Sequence, residues 1–221
     1  MQAMTENWVE VTATYTKAWE FFKAHWGGVY KIGIVAFLLI FAVNFTLGIF
    51  VGIFGDESLF STLLTLLGQF WSQFISIGSV IIFLQFIRSN GVATFSVADF
   101  LAVKTRFIPY LLANVRYFLI VLFGYVLFII PGIIWSMKYA FGPVLVVDKS
   151  LGAKEAFDMS AQMTEGIKWQ MLGFGLFGIL VTLGGLLLLG VGLFLAIPIV
   201  YLASYMLYDK LLSRAKLGIT G

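Results

Sequence analysis

Cysteine is absent from this 221-residue chain, which excludes disulfides, thiolate nucleophiles and cysteine-based metal sites. Histidine occurs once, at His25. With no second imidazole and no acidic cluster beside it, His25 reads as a boundary side chain rather than a metal ligand. Charge is equally scarce, since Asp, Glu, Lys and Arg make up 11% of residues against 61% hydrophobic. One soluble core could not bury that much apolar surface, so lipid must be the solvent for most of the chain. The net charge of +3 comes from basic residues at segment ends and forms no separate patch, so nucleic acid is not an expected partner. Paired carboxylates, HExxH and a phosphate loop are all missing, and any serine triad would have to use His25. No catalytic residue, metal site or cofactor is expected, and the chain reads as non-enzymatic.

What is present is a series of long uncharged runs. The pattern predicts an all-α, polytopic membrane protein: six transmembrane helices, an N-terminal amphipathic helix and short cytoplasmic helices, in a single membrane domain over 1–221. Over 5–26 the residues Trp8, Tyr15, Trp19, Phe22 and Trp26 fall on one helical face and Glu6, Glu10, Lys17, Glu20 and Lys23 fill the rest. Such a helix lies in the headgroup region or packs on the protein's own cytoplasmic helices. The mixed charges of this stretch also argue against a cleaved signal peptide, so the first span is expected to be retained.

Spans are expected at about 32–54, 59–87, 109–130, 132–147, 169–189 and 192–208. The first holds Gly48 and Gly52 as a weak GxxxG, and the second carries Gly68, Ser72 and Ser76 on one face with Gln69 and Gln73 beside it. Asp56 and Glu57 occupy the turn between them. Between spans two and three, Ser96 and Asp99 form a capping-box pattern flanked by Phe95 and Phe100 as a hydrophobic staple, which predicts a cytoplasmic helix over 96–106. A second such helix is expected over 151–165, capped by Ser150. Its Ala153, Ala156, Phe157, Ser160 and Met163 form a mostly small face for other helices, with Glu155, Asp158 and Glu165 turned away.

The apolar run from Arg116 to Lys149 is interrupted by Pro131-Gly132. Read as one kinked span, it would divide the basic residues evenly between the two sides. Read as a hairpin turning at Pro131-Gly132, it leaves every Lys and Arg except Lys138 on the cytoplasmic side with both termini. The hairpin reading is therefore adopted, in a cell (cytoplasmic or inner) membrane. Trp169 to Tyr208, uncharged throughout, must likewise cross twice, turning at Gly190-Val191-Gly192. The two hairpins share a layout that ends in Asp148-Lys149 and Asp209-Lys210, whether as an internal repeat or by chance.

From Pro131 to Gly173 and from Gly185 to Leu211 the sequence resembles the C-terminal half of the glycerophosphoryl diester phosphodiesterase membrane domain and related bacterial six-helix membrane proteins. The likeness covers roughly 110–212. It implies a six-helix bacterial membrane domain whose biochemical role is not general knowledge even for the family. The soluble catalytic domain of those phosphodiesterases has no counterpart in the matched part, so no activity and no catalytic residue is carried over.

Ionisable groups inside spans are the natural functional candidates. Arg116 is near enough to a span end to snorkel. Lys138 is expected to reach Asp56 or Glu57 at the outer face, or to bind an anionic solute or lipid headgroup in a cavity. Two functional classes follow. One is an interaction, assembly or lipid-associated module whose partners are membrane lipids, another membrane protein or a second copy. The other is a small transporter or channel using Lys138, with Gln69, Gln73, Asn44 and Asn114 as polar lining.

Overall fold

The computed structural model describes residues 2–55, 58–188 and 190–216; the side chains of residues 2–10, 104 and 216 fall outside the description. Every element is helical among the described residues: α1 (Gln2–Phe54), α2 (Leu59–Arg88), α3 (Val97–Leu101), α4 (Lys104–Leu127), α5 (Ile129–Lys138), α6 (Gly142–Lys149), α7 (Ala153–Met163), α8 (Lys168–Leu187) and α9 (Leu193–Lys216). Among the described residues, six stretches are long and apolar enough to cross a membrane: Val11–Phe54, Leu59–Arg88, Thr105–Leu127, Ile129–Lys149, Lys168–Leu187 and Leu193–Ala215. The architecture is that of a multi-pass helical membrane protein. The described chain divides into two compact units, Met1–Trp26 with Leu112–Gly221, and Gly27–Leu111.

In the second unit, α1 and α2 meet along the small-residue stripe. Asn44 donates to the Ser72 hydroxyl at 3.1 Å, Gly68 leaves room for the Asn44 side chain, and the Trp71 indole donates to the Leu39 carbonyl at 2.7 Å. Small residues let the backbones approach and polar side chains then tie them together without water. Gly48 and Gly52 have open space where a side chain would be, so this GxxxG takes no part in the packing of the unit. Gln69 and Gln73 are exposed, off the packed stripe.

Helix α3 docks on α2 at Gly78, whose missing side chain admits the backbone of Phe100. Its start follows the expected chemistry: the Asp99 carboxylate accepts from the Ser96 amide at 2.6 Å and from its hydroxyl at 2.9 Å, and Phe95 meets Phe100 edge-on at 6.1 Å. The helix is shorter than expected, and α4 begins at Lys104 instead of Pro109, which sits inside its second turn. Proline there lies past the first turn, so it forgoes its bond to the Thr105 carbonyl within the helix.

The hydrogen bonds from the Ser96 backbone, and then its hydroxyl, hold the Asp99 carboxyl below its ordinary value of 3.8. The cap therefore contributes fully above that ordinary value and is lost as pH falls through the lowered one. Hydrogen exchange at the amides of Val97–Leu101 should accelerate relative to the rest of the unit as the pH is lowered past 3.8, after correction for intrinsic exchange. Asp99→Asn should remove this pH dependence; its persistence would contradict the assignment.

As expected, the N-terminal helix and the first span are two helical segments: α1 is interrupted at His25, whose backbone is non-helical (φ −130°, ψ 24°). Its N-terminal part does not keep the expected aromatic stripe on one face. Val11, Thr14, Tyr15, Ala18, Phe21 and Phe22 are buried, whereas Trp19 and Trp26 are exposed by 39% and 62%. The buried face packs on a spanning helix: Tyr15 donates to the Phe174 carbonyl at 3.2 Å, its ring lies 4.7 Å from that of Phe177, and Gly178 of α8 makes room for its hydroxyl. A buried phenol needs an acceptor and a gap, and α8 supplies both. The side chain of Trp8 lies outside the description.

Candidate functional site: the interrupted fourth span

The site lies wholly within the unit formed by Met1–Trp26 and Leu112–Gly221, and begins with a misplaced turn. The hairpin reverses at Phe128, where the backbone is extended (φ −165°, ψ 153°), and Pro131-Gly132 falls in the first turn of α5. Proline is at home there because the early amides of a helix lack partners anyway. The expected turn at Pro131-Gly132 is thus moved upstream. Gly132 serves packing instead: a side chain on Gly124 would lie 2.8 Å from the Gly132 Cα. The α8–α9 hairpin closes in the same way, a side chain on Gly192 meeting the Gly185 Cα at 2.8 Å.

The fourth span is not the single helix expected over 132–147. It stops at Lys138 and resumes at Gly142, with Pro143 in the first turn of α6. Pro143 lacks an amide hydrogen and its ring crowds the carbonyl four residues earlier, which breaks a helix one turn upstream. Within a bilayer, backbone groups freed in this way must be satisfied by protein. Helix α7 does so. Ser160 donates to the Lys138 carbonyl at 2.9 Å and accepts from the Phe141 amide at 3.2 Å, and the Thr164 hydroxyl lies 3.2 Å from the same carbonyl, its one hydrogen shared with the carbonyls of Ser160 at 3.0 Å and Ala161 at 3.2 Å. Ser160 and Thr164 are essentially inaccessible, at 0% and 1% exposure. Gly142 lies flat against the ring of Phe157.

The expected small face of α7 is the face that makes these contacts: Ala156, Phe157, Ser160 and Met163 are buried, and Glu155, Asp158 and Glu165 are exposed. Ser150 plays a different part from the one expected. It ends α6 in the left-handed conformation (φ 54°), and Gly152 is the N-cap of α7. Beyond the break, Tyr208 of α9 donates to Asp148 at 2.8 Å, and Asp148 pairs with Lys149 at 3.0 Å. This chain of contacts ties α9 to α6.

A cavity of about 340 Å³ opens beside the break. Tyr117 of α4, Ser136 of α5, Phe141 at the break, Gly175 of α8, and Ser204 and Tyr208 of α9 contribute to its wall. The rest is largely apolar, including Met137, Met171 and Phe174. The hydroxyl hydrogens of Tyr117, Ser136 and Ser204 are committed to the protein. Tyr117 donates to the Ser136 carbonyl at 3.0 Å, Ser136 to Ile133 at 2.8 Å and Ser204 to Val200 at 2.8 Å. What the wall offers a guest is therefore apolar surface and a few acceptor oxygens. No family model matches the chain, nor does any curated protein or solved structure. The functional reading therefore rests on this geometry.

Of the residues singled out in the sequence, Arg116 and Lys138 each lie over an aromatic ring, and those two rings contact each other. Arg116 stacks over the ring of Phe157 at 5.1 Å, Phe157 contacts Tyr139 at 5.6 Å, and Lys138 lies over Tyr139 at 5.3 Å. Neither cation is in the cavity wall. Because the hairpin turns at Phe128, Lys138 is the last residue of α5, at the end where α7 docks. Asp56 and Glu57, its expected partners, lie outside the described residues, and Gln69 and Gln73 belong to the other unit. The residues missed in the sequence are Thr164 and the hydroxyl-bearing wall; Ser160 was placed on a packing face, without its role at the break. Gly142-Pro143 was the available signal, since a proline inside an apolar run argues for a break.

Proposed function

We propose that this protein is a non-enzymatic integral membrane module that binds a lipid or another amphiphile in the cavity beside its interrupted fourth span. The carrying observation is the pairing of a broken helix, bridged by Ser160 and Thr164, with an apolar cavity of about 340 Å³. Irregular backbone at a span is maintained where it serves a binding site or a hydrated path. A mostly apolar wall with a few oxygens suits an acyl chain better than a polar solute. The clustering of Lys and Arg at span ends favours a cell membrane with both termini cytoplasmic.

Photo-crosslinking with a phospholipid carrying a diazirine in its acyl chain tests this reading. Label should appear at 136–144 and 204–208. Gly175→Leu is the discriminating variant, because Gly175 contributes to the wall and a side chain there meets no atom within 4 Å, so it is accommodated without strain. It displaces several methylene equivalents at roughly 0.8 kcal/mol each, so labelling should fall by about tenfold or more. Labelling spread evenly over all spans, and unchanged in the variant, would refute the site.

The interrupted span also favours a second reading, a small transporter for an anionic solute or lipid using Lys138. Flux into proteoliposomes that is abolished by Lys138→Gln would support it over simple binding.

A further inference from the structure

Resting on the cavity reading, we infer that the guest is an anionic phospholipid whose phosphate is held by Arg116 and Lys138 while an acyl chain occupies the cavity. The cavity wall itself contains no Lys, Arg, Asp or Glu, so it selects for a chain and is indifferent to headgroup charge. Charge selection has to come from beside it. The residues next to each cation in sequence, Tyr117 and Met137, are both in the wall. Ser136 and Met137 share that wall with Met171 and Gly175 of α8. The cations therefore lie near the end of α8 that starts at Lys168, with Trp169 beside it 82% exposed. Tryptophan and lysine at a span end mark the headgroup level.

Neither cation is neutralised by a carboxylate among the described residues. Their recorded contacts are the faces of Phe157 and Tyr139, which are packed on each other. A ring attracts a cation without cancelling its charge, and unneutralised basic charge at a membrane boundary draws anionic lipid. Stacking also prepares Arg116 for this task. With its Cζ 5.1 Å from the centre of the Phe157 ring, the guanidinium retains N–H donors for a phosphate, and Lys138, over the adjoining Tyr139 ring, adds a mobile point charge. The docked α7 is part of the device, because Phe157 carries the stack and Ser160 on the next turn holds the break.

The test is lipid retention by the full-length protein, extracted in mild detergent and examined by native mass spectrometry after equilibration with phosphatidylglycerol, phosphatidylcholine and diacylglycerol of identical chains. Wild type should retain phosphatidylglycerol preferentially. Arg116→Gln with Lys138→Gln should lower that preference by about tenfold and leave diacylglycerol retention unchanged, and Arg116→Lys with Lys138→Arg should restore most of it. Gly175→Leu should reduce all three lipids together. A glutamine double variant that keeps the wild-type preference would overturn the headgroup assignment and leave the cavity reading standing. Equal retention of every lipid by wild type and Gly175→Leu would overturn the cavity reading itself. Release of phosphatidylglycerol by inorganic phosphate at a concentration too low to screen surface charge would overturn the lipid in favour of a soluble phosphate ligand.

Discussion

Ser160→Ala should destabilise the unit containing the interrupted span by about 1–3 kcal/mol, and Ser160→Ala with Thr164→Val by about 2–6 kcal/mol. In the single variant the Phe141 amide loses its acceptor, while the Lys138 carbonyl keeps the Thr164 hydroxyl. Thr164→Val alone should cost less, about 0.5–1.5 kcal/mol, because Ser160 still serves that carbonyl. The double variant orphans both backbone groups at a site where α7 admits no solvent, so its effect should exceed the sum of the two. Equilibrium unfolding in mixed micelles measures all three. Additive losses, or a Ser160→Ala protein as stable as wild type, would show that the break is satisfied by water and not by α7. Ser160→Thr, which keeps the hydroxyl, separates the lost hydrogen bond from a general packing defect.

The second large effect is expected at Gly78. An added Cβ would stand 2.6 Å from both the Cα and the carbonyl oxygen of Phe100, and these are backbone atoms that no rotamer change can move aside. Phe100 is fully buried, so α3 has to leave its seat on α2. Overpacking of this kind costs about 1–3 kcal/mol and sometimes more. Because the chain has no cysteine, the displacement can be read cleanly. A cysteine placed at Val103, 2% exposed, should be unreactive to thiol reagents in the parent and labelled in the Gly78→Ala background. Continued protection at that position would mean the two helices tolerate the extra methyl.

Much of the architecture was legible because lipid imposes a simple rule: a span must be long, apolar and internally hydrogen-bonded. Charge-free runs therefore located all six spans, and positive residues at their ends argued for the hairpin. The face of α7 and the start of α3 were legible for a different reason, since amphipathic spacing and capping chemistry are local. Tyr15 was assigned to the right helix with the wrong companions. Periodicity grouped it with Trp19 and Trp26, but which part of an aromatic arc is buried depends on the neighbour, and α8 offered the gap at Gly178 and the Phe174 carbonyl as an acceptor.

The candidate site was less legible. Pro131-Gly132 and Gly142-Pro143 are similar signals twelve residues apart, and their local chemistry does not say which one marks a turn and which a break. That depended on partners distant in sequence: Gly124 for Gly132, and Ser160 and Thr164 for the freed groups at Lys138 and Phe141. By itself the sequence determined the class of protein, the number of spans, and the absence of cysteine chemistry or a recognisable reacting constellation. Only the tertiary structure decided that the fourth span is broken, that α7 bridges the break, and that Lys138 and Arg116 lie over two different rings that contact each other. The physical reason is that the first set of properties follows from hydropathy and spacing along the chain, whereas a buried polar group is defined by the partner that satisfies it.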